Sequence, residues 1–109
     1  MKPKNVNYDD SVAYEASTIA KAGPGTIFSV TGYNSKTSKQ FIQLHDSATL
    51  PADTAVPKII WSVPASSNFF LEFVEIGREC KYGIVLCNSS TGPTKTIGSA
   101  DCWFNVQYS

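Results

Sequence analysis

The sequence predicts an all-β protein: an antiparallel β-sandwich, of jelly-roll or immunoglobulin-like type, with about six to eight strands and an N-terminal extended arm. Apolar and polar residues alternate with a period of two along several short segments, as expected for strands with one buried face. Each segment is followed by a cluster of Gly, Pro, Asn, Asp or Ser, and no helical periodicity separates them. The predicted strands are Thr26–Tyr33, Gln40–Asp46, Lys58–Val63, Asn68–Val74, Tyr82–Asn88 and Cys102–Tyr108.

The first two predicted strands are joined by a polar turn, 34–38, and are therefore predicted to form a hairpin. Strict alternation places Phe28 and Val30 on one face of the first strand. In the last strand the alternation is clear, with Cys102, Phe104, Val106 and Tyr108 on one face and Trp103, Asn105 and Gln107 on the other.

Residues 1–22 differ from the rest and are predicted to form the extended arm, which Gly23-Pro24-Gly25 ends because both residue types break regular structure. A short helix capped by Asp10 or Ser11 is the alternative. The predicted organisation is an arm, 1–22, and a β-sandwich domain, 23–109. The first residues lack the apolar segment of a secretory signal, so we expect a protein made in a cytoplasm.

The content of charged residues favours some classes of binding partner over others. Only 17% of the 109 residues are charged, and nine Lys and Arg balance nine Asp and Glu. This balance argues against nucleic acid, which requires a basic surface, and against anionic membranes. No apolar stretch approaches the roughly 20 residues that span a bilayer. A surface poor in charge fits extensive contact with other protein.

The three cysteines are predicted to be reduced. Cys87 and Cys102 lie in apolar alternations and are predicted to be small core residues, whereas Cys80, near a turn, is predicted to be more exposed. A disulfide is the less favoured alternative in a cytoplasmic product. The cysteine spacing does not match a zinc site, and no run of acidic residues matches a calcium loop.

The sequence also lacks a recognisable arrangement of catalytic residues. His45 is the single histidine, and its neighbour Asp46 points to the opposite face of a strand. Glu72 and Glu75, three positions apart, do not share a strand face as paired carboxylates would need to. We therefore predict no enzymatic activity, no cofactor and no metal, and place His45 at the surface or facing a partner.

The aromatic residues are the more informative set. Trp103 lies on the polar face of its strand, and Tyr33 lies at a strand end. Such residues pack under a loop, fill a subunit interface or form a sugar-binding platform, and the sequence leaves these alternatives open. The candidate interface residues are Tyr8, Tyr14, Tyr33, His45 and Trp103.

Six runs of the predicted body form a recognisable pattern: GTIFSVTGYN (25–34), FIQLHD (41–46), LPAD (50–53), VP (56–57), GIVLCNSST (83–91) and KTIGSADC (95–102). Through these runs, residues 23–108 resemble a set of small proteins encoded by tailed bacteriophages. It does not extend to the arm.

This resemblance implies a virion structural protein, because genes of this set commonly belong to virion modules. A capsid decoration (cement) protein is favoured, with the major capsid protein as partner, a homotrimer as assembly and the outer capsid as location. The arm would tie the protein to neighbouring shell subunits. A tail or fibre module that binds a host receptor or glycan is the alternative.

Overall fold

The computed structural model describes residues 6–73 and 76–109, and this part of the chain contains nine strands and no helix. The strands are β1 (Asn7–Asp10), β2 (Ser17–Lys21), β3 (Gly25–Asn34), β4 (Gln40–His45), β5 (Ile59–Val63), β6 (Ser67–Glu72), β7 (Arg78–Cys80), β8 (Ile84–Ser89) and β9 (Cys102–Tyr108). The predicted all-β class is confirmed. Among the described residues, therefore, no helix has the length and apolarity that crossing a bilayer requires.

The strands form two antiparallel sheets that pack face to face. Sheet A has the order β1-β9-β3-β6, with the short β7 also paired to β3, and sheet B has the order β2-β8-β4-β5. If β7 is set aside, the first strand pairs with the last, the second with the second last, and so on inward to β4 and β5. One long antiparallel hairpin rolled over itself has this pairing, which defines a jelly roll.

The core lies between the two sheets. Its largest fully buried apolar side chains are Phe104, Ile27, Val30 and Val106 from sheet A and Ile42, Leu44, Val63, Ile84 and Leu86 from sheet B. The alternation predicted for β9 is confirmed, because Cys102, Phe104 and Val106 are all buried.

Gly32 makes room for an aromatic ring at the centre of sheet A. The rings of Phe69 and Phe104 lie 6.0 Å apart. A Cβ atom at Gly32 would lie 2.4 Å from a Phe69 ring carbon and 1.8 Å from the Trp103 carbonyl oxygen. Any side chain at this position would therefore displace the Phe69 ring or separate β3 from β9.

The N-terminal segment differs from the predicted free arm. Its strands are extended as predicted, but β1 pairs with β9 in sheet A and β2 pairs with β8 in sheet B. Between them, Ser11 Oγ accepts a hydrogen bond of 2.9 Å from Phe104 N. The sandwich thus begins at residue 7 and not at residue 23. Residues 1–5 of the predicted arm lie outside the described residues.

The predicted hairpin of the first two body strands is wrong, because the chain crosses between sheets at this point. β3 belongs to sheet A and β4 to sheet B. The buried Asn34 holds the crossing: its Nδ2 donates to the carbonyls of Ser38 and Pro64, and its Oδ1 accepts from Lys36 N. A single polar side chain thus binds three backbone groups around the crossing.

The observed ends of the six predicted strands lie within two residues of their predicted positions, and two of them differ by two residues. β6 ends at Glu72, and the predicted end at Val74 lies outside the described residues. β8 begins two residues later than predicted, because the Asp46 carboxylate accepts the amides of Lys81, Tyr82 and Gly83 at 2.8, 2.7 and 3.2 Å. These amides are then not available to a sheet.

All three cysteines are buried free thiols. Cys87 and Cys102 are both fully buried; Cys102 lies in the core as predicted, whereas Cys87 points away from it. The prediction for Cys80 is wrong, since only 4% of it is exposed. Cys80 ends β7, where pairing with β3 turns its side chain into the core. Burial raises the pKa of the Cys87 thiol to about 11 and that of the Cys102 thiol to about 12.

Candidate docking face

The two outer faces of the sandwich are different. On the outer face of sheet B, which we call the covered face, Val85, Cys87 and Ser89 are buried although they point away from the core. Loops 46–58 and 90–101 lie over them. On the outer face of sheet A, which we call the open face, Tyr8 and Phe70 are more than half exposed, at 51% and 62%.

A set of contacts that we call the clasp joins the two covering loops; it consists of Pro51, Asp53, Thr54, Ala55 and Lys95. The ammonium of Lys95 is buried, donates to the Pro51 carbonyl at 2.6 Å and lies 3.6 Å from Asp53 Oδ1. The backbone of Lys95 exchanges hydrogen bonds of 2.8 Å with Thr54 and Ala55. Thr54 has φ 78, a left-handed conformation that a β-branched residue adopts only under constraint.

His45 lies beneath the clasp, so its predicted place at the surface is wrong. It is 3% exposed, and its Nε2 lies 3.0 Å from Gln43 Oε1. The amide nitrogen of Gln43 is within 2.8 to 3.1 Å of the carbonyls of Thr91, Gly92 and Thr94. Burial, with the nearby charge of Lys95, lowers the pKa of His45. The ring is therefore neutral, and it is buried because the covering loops enclose the end of β4.

The open face is built of three cross-strand rows. Strand register places Tyr8, Gln107, Ser29 and Glu72 in the first row; Asp10, Asn105, Thr31 and Phe70 in the second; and Trp103, Tyr33 and Asn68 in the third. The aromatic and ionisable members of the first two rows lie on the outer strands β1 and β6. Short polar side chains occupy the central strands β9 and β3.

The third row carries an aromatic patch of Tyr14, Tyr33 and Trp103. Tyr33 and Trp103 are direct partners across β3 and β9. The ring of Tyr14, from the connection between β1 and β2, meets Trp103 edge to face, with centroids 5.7 Å apart and planes at 84°. The amides of Asn68 and Asn105 border the patch. Trp103 is thus half-buried at the surface, packed by Tyr14.

The first two rows form a shallow groove of about 560 Å³. Its lining residues are Val6, Tyr8, Asp10, Phe28, Ser29, Thr31, Phe70, Glu72, Phe73, Asn105 and Gln107. Phe28 reaches this lining because a bulge lies between Ile27 and Ser29 in the pairing of β3 with β9. Phe28 therefore does not share the core face with Val30, as strict alternation predicted.

Four of the five candidate interface residues come together on the open face. Tyr8 lies in the groove, and Tyr14, Tyr33 and Trp103 form the patch; His45 alone lies on the opposite side. Their part in binding stays a prediction. Sequence reasoning missed Phe70, the most exposed aromatic residue of this face. Its signal was the position itself, since Phe70 alternates with Phe69 and Leu71 and so had to point outward.

Metal-binding geometry is absent from the described part of the chain, where no three His, Cys, Asp or Glu side chains cluster. Asp10 and Glu72 lie on β1 and β6, three strand spacings or about 14 Å apart across the sheet.

The fold and its faces define a class of protein: a jelly-roll sandwich with one face closed by its own loops and one open face. No protein-family model matches the chain. No curated protein matches it either. Among solved structures, the coat protein of Tobacco streak virus is similar, with a TM-score of 0.42 and 11% identity over 97% of this chain and 88% of that chain. At this level the similarity carries no argument about function.

Proposed function

We propose that this protein is a structural component of a virus particle, a capsid decoration or cement protein that binds the assembled capsid lattice through its open face. The observation that carries the proposal is the contrast between the two faces. Loops bury the central strands of the covered face, whose exposed apolar residues Ile19 and Ile60 lie on its edge strands, whereas the open face holds exposed aromatic residues along its groove. Aromatic residues are enriched at protein interfaces.

The mechanism that we propose is mechanical and requires no catalysis. A protein that binds only the assembled shell stabilises it by mass action. Since β1 and β2 are built into the sandwich, we assign the contact to the open face and not to a detached arm. The resemblance of residues 23–108 to small proteins of tailed bacteriophages supports a position on the outer capsid, with the major capsid protein as partner and a homotrimer as the assembly.

Cosedimentation of the purified protein with shells that lack it tests this proposal. Copies bound per shell at saturation are counted, and a lattice-wide role predicts hundreds. A handful of copies, or none, would overturn the decoration role. Unchanged heat resistance of shells after saturation would overturn the stabilising role.

Phe70→Thr tests whether the open face is the contact. A Phe side chain of about 200 Å² that is 62% exposed offers roughly 120 Å² to a partner, worth about 3 kcal/mol at 25 cal/mol/Å². Because Thr retains part of this contact, we expect about 30-fold weaker binding. Ile60→Thr is the matched control, since Ile60 is an exposed apolar residue on an edge strand of sheet B. Equal binding by both variants would exclude the open face.

The aromatic patch favours one second candidate, a fibre or tail module that binds a glycan. Tyr33 and Trp103 bordered by the amides of Asn68 and Asn105 suit the apolar face and the hydroxyls of a sugar ring. Binding of neutral oligosaccharides that is lost in Tyr33→Ala, together with absence of binding to shells, would replace the decoration role by this one.

A further inference from the structure

The groove of the open face has a polar floor between two walls that each carry an exposed aromatic side chain. Its floor is formed by Ser29, Thr31, Asn105 and Gln107 on the central strands β3 and β9. Tyr8 stands on one wall, and Phe70 stands on the other. The walls run along the strand direction, three strand spacings or about 14 Å apart, which leaves room for one extended chain with its side chains.

The charges that line the groove have one sign. Asp10 stands on the β1 wall and Glu72 on the β6 wall, and no Lys or Arg is found among the described lining residues. Asn105 Nδ2 donates to Asp10 Oδ1 at 3.0 Å, which holds this carboxylate beside the floor. A chain of zero net charge thus presents a local acidic potential in a groove that is lined by exposed aromatic residues.

We propose that the groove binds an extended segment of a partner protein in which Lys or Arg side chains accompany apolar ones. This inference rests on the proposed function and names the chemistry of the capsid segment that would dock there. The alkyl stems of Lys and Arg pack on Phe70, and their cations lie over its ring or reach Asp10 and Glu72. Floor amides and hydroxyls then satisfy the backbone of the segment.

Charge complementarity selects this occupant over the others. A second copy of the chain docked through the same face by a two-fold axis would bring a carboxylate-bearing groove against its equal, which like-charge repulsion disfavours. An anionic ligand meets the same repulsion. A neutral glycan makes no use of either charge, so its binding would not respond to salt.

A synthetic peptide of alternating Lys and Phe is the direct probe, with a Glu and Phe peptide as its control. We expect the Lys peptide to shift backbone amide resonances of the groove residues in a ¹⁵N spectrum, with binding weakened by salt. Glu72→Gln should weaken binding about five-fold, and Asp10→Asn with Glu72→Gln about twenty-fold. Glu79→Gln is the matched control, because Glu79 is an exposed carboxylate on β7 of the same sheet, outside the groove.

The outcomes separate this inference from the proposed function. Equal binding of the two peptides, or an unchanged affinity in the double variant, overturns the inference, and so does a groove filled by a neutral oligosaccharide instead. Shells bound equally by wild type and double variant but weakly by Phe70→Thr would keep the docking face and overturn its charge selectivity. Peptide binding in the groove without shell binding would keep the inference and overturn the capsid role.

Discussion

The charge of Asp53 stabilises the clasp only because the ammonium of Lys95 is buried next to it. Lys95 is 3% exposed at its side chain and Asp53 is 52% exposed, with 3.6 Å between Nζ and Oδ1. Asp53→Asn removes the charge but keeps an oxygen that can accept the hydrogen bond from Ile97 N. We expect this variant to be destabilised, since it leaves a buried cation with the Pro51 carbonyl and no carboxylate.

The size of the effect follows from Coulomb's law. For unit charges at 3.6 Å, an effective dielectric constant of about 40, between the buried and the solvated partner, gives roughly 2 kcal/mol. Lys95→Met removes the cation together with its desolvation penalty, so we expect its free energy of unfolding to stay within about 1 kcal/mol of wild type. In the Lys95→Met background, Asp53→Asn should then have almost no effect.

Urea denaturation of wild type, the two single variants and the double variant measures this coupling as a double-mutant cycle. Asp53→Asn alone should lower the midpoint of thermal unfolding by about 5–10 °C. If Asp53→Asn destabilises the Lys95→Met protein as much as it destabilises wild type, the pair is not coupled. The stability of the loops would then lie in their backbone hydrogen bonds alone.

Three further predictions concern the core and a loop. Gly32→Ala should lower the free energy of unfolding by about 3 kcal/mol, because its Cβ would collide with the Phe69 ring and with β9. The control Gly23→Ala has open space around its Cβ, so its free energy of unfolding should stay within about 0.5 kcal/mol of wild type. Equal denaturation midpoints of the two variants would contradict this prediction. Burial raises the pKa of Asp46, but hydrogen bonds from three backbone amides and the charge of Lys58 together lower it below 3.8. The stabilising effect of Asp46 is therefore complete above pH 3.8 and is lost as the pH falls through the lower, folded value. Asp46→Asn should thus be about 1 kcal/mol less stable at pH 7 and converge with wild type in acid, as denaturation across pH would show. The thiols of Cys87 and Cys102 should react with Ellman's reagent only at the rate of unfolding, because both are buried with raised pKa values; rapid labelling of the native protein would refute this.

The alternation of apolar and polar residues within single strands predicted much of the fold, because a half-buried strand has apolar residues on its buried face and polar residues on its exposed face. The faces of β6 and β9 and the burial of Cys102 follow directly from that pattern, whereas Cys87 is buried by the covering loops. Alternation does not show which sheet a strand joins, so a hairpin was predicted at Asn34, where the chain crosses between the sheets. The short edge strands β1 and β2 bury few side chains and show almost no alternation of apolar and polar residues, so they were predicted to form an arm.

The candidate site was predictable to the extent that it lies on regular strands. Tyr33 and Trp103 meet because register pairs them, which the sequence could not state, although Trp103 was predicted on the polar face of its strand. One extra residue at the β3 bulge reversed the side of Phe28. His45 has the outward orientation that alternation gives it, but the covering loops bury it, and no local pattern indicates that a distant loop will fold back.

The pairing of the first strand with the last has a consequence for how the chain reaches its native state. β9 is the centre of sheet A, between β1 and β3, and Asn7 is paired with Tyr108. Until β9 has left the ribosome, β1 has no strand to pair with and β3 has only β6 and β7. Sheet A therefore cannot be completed before all of residues 7–108 have been synthesised. Such non-local pairing places folding in the slow range of milliseconds to seconds. During this interval the unpaired strands are exposed to one another in neighbouring chains, so the yield of soluble protein should depend on the rate of synthesis.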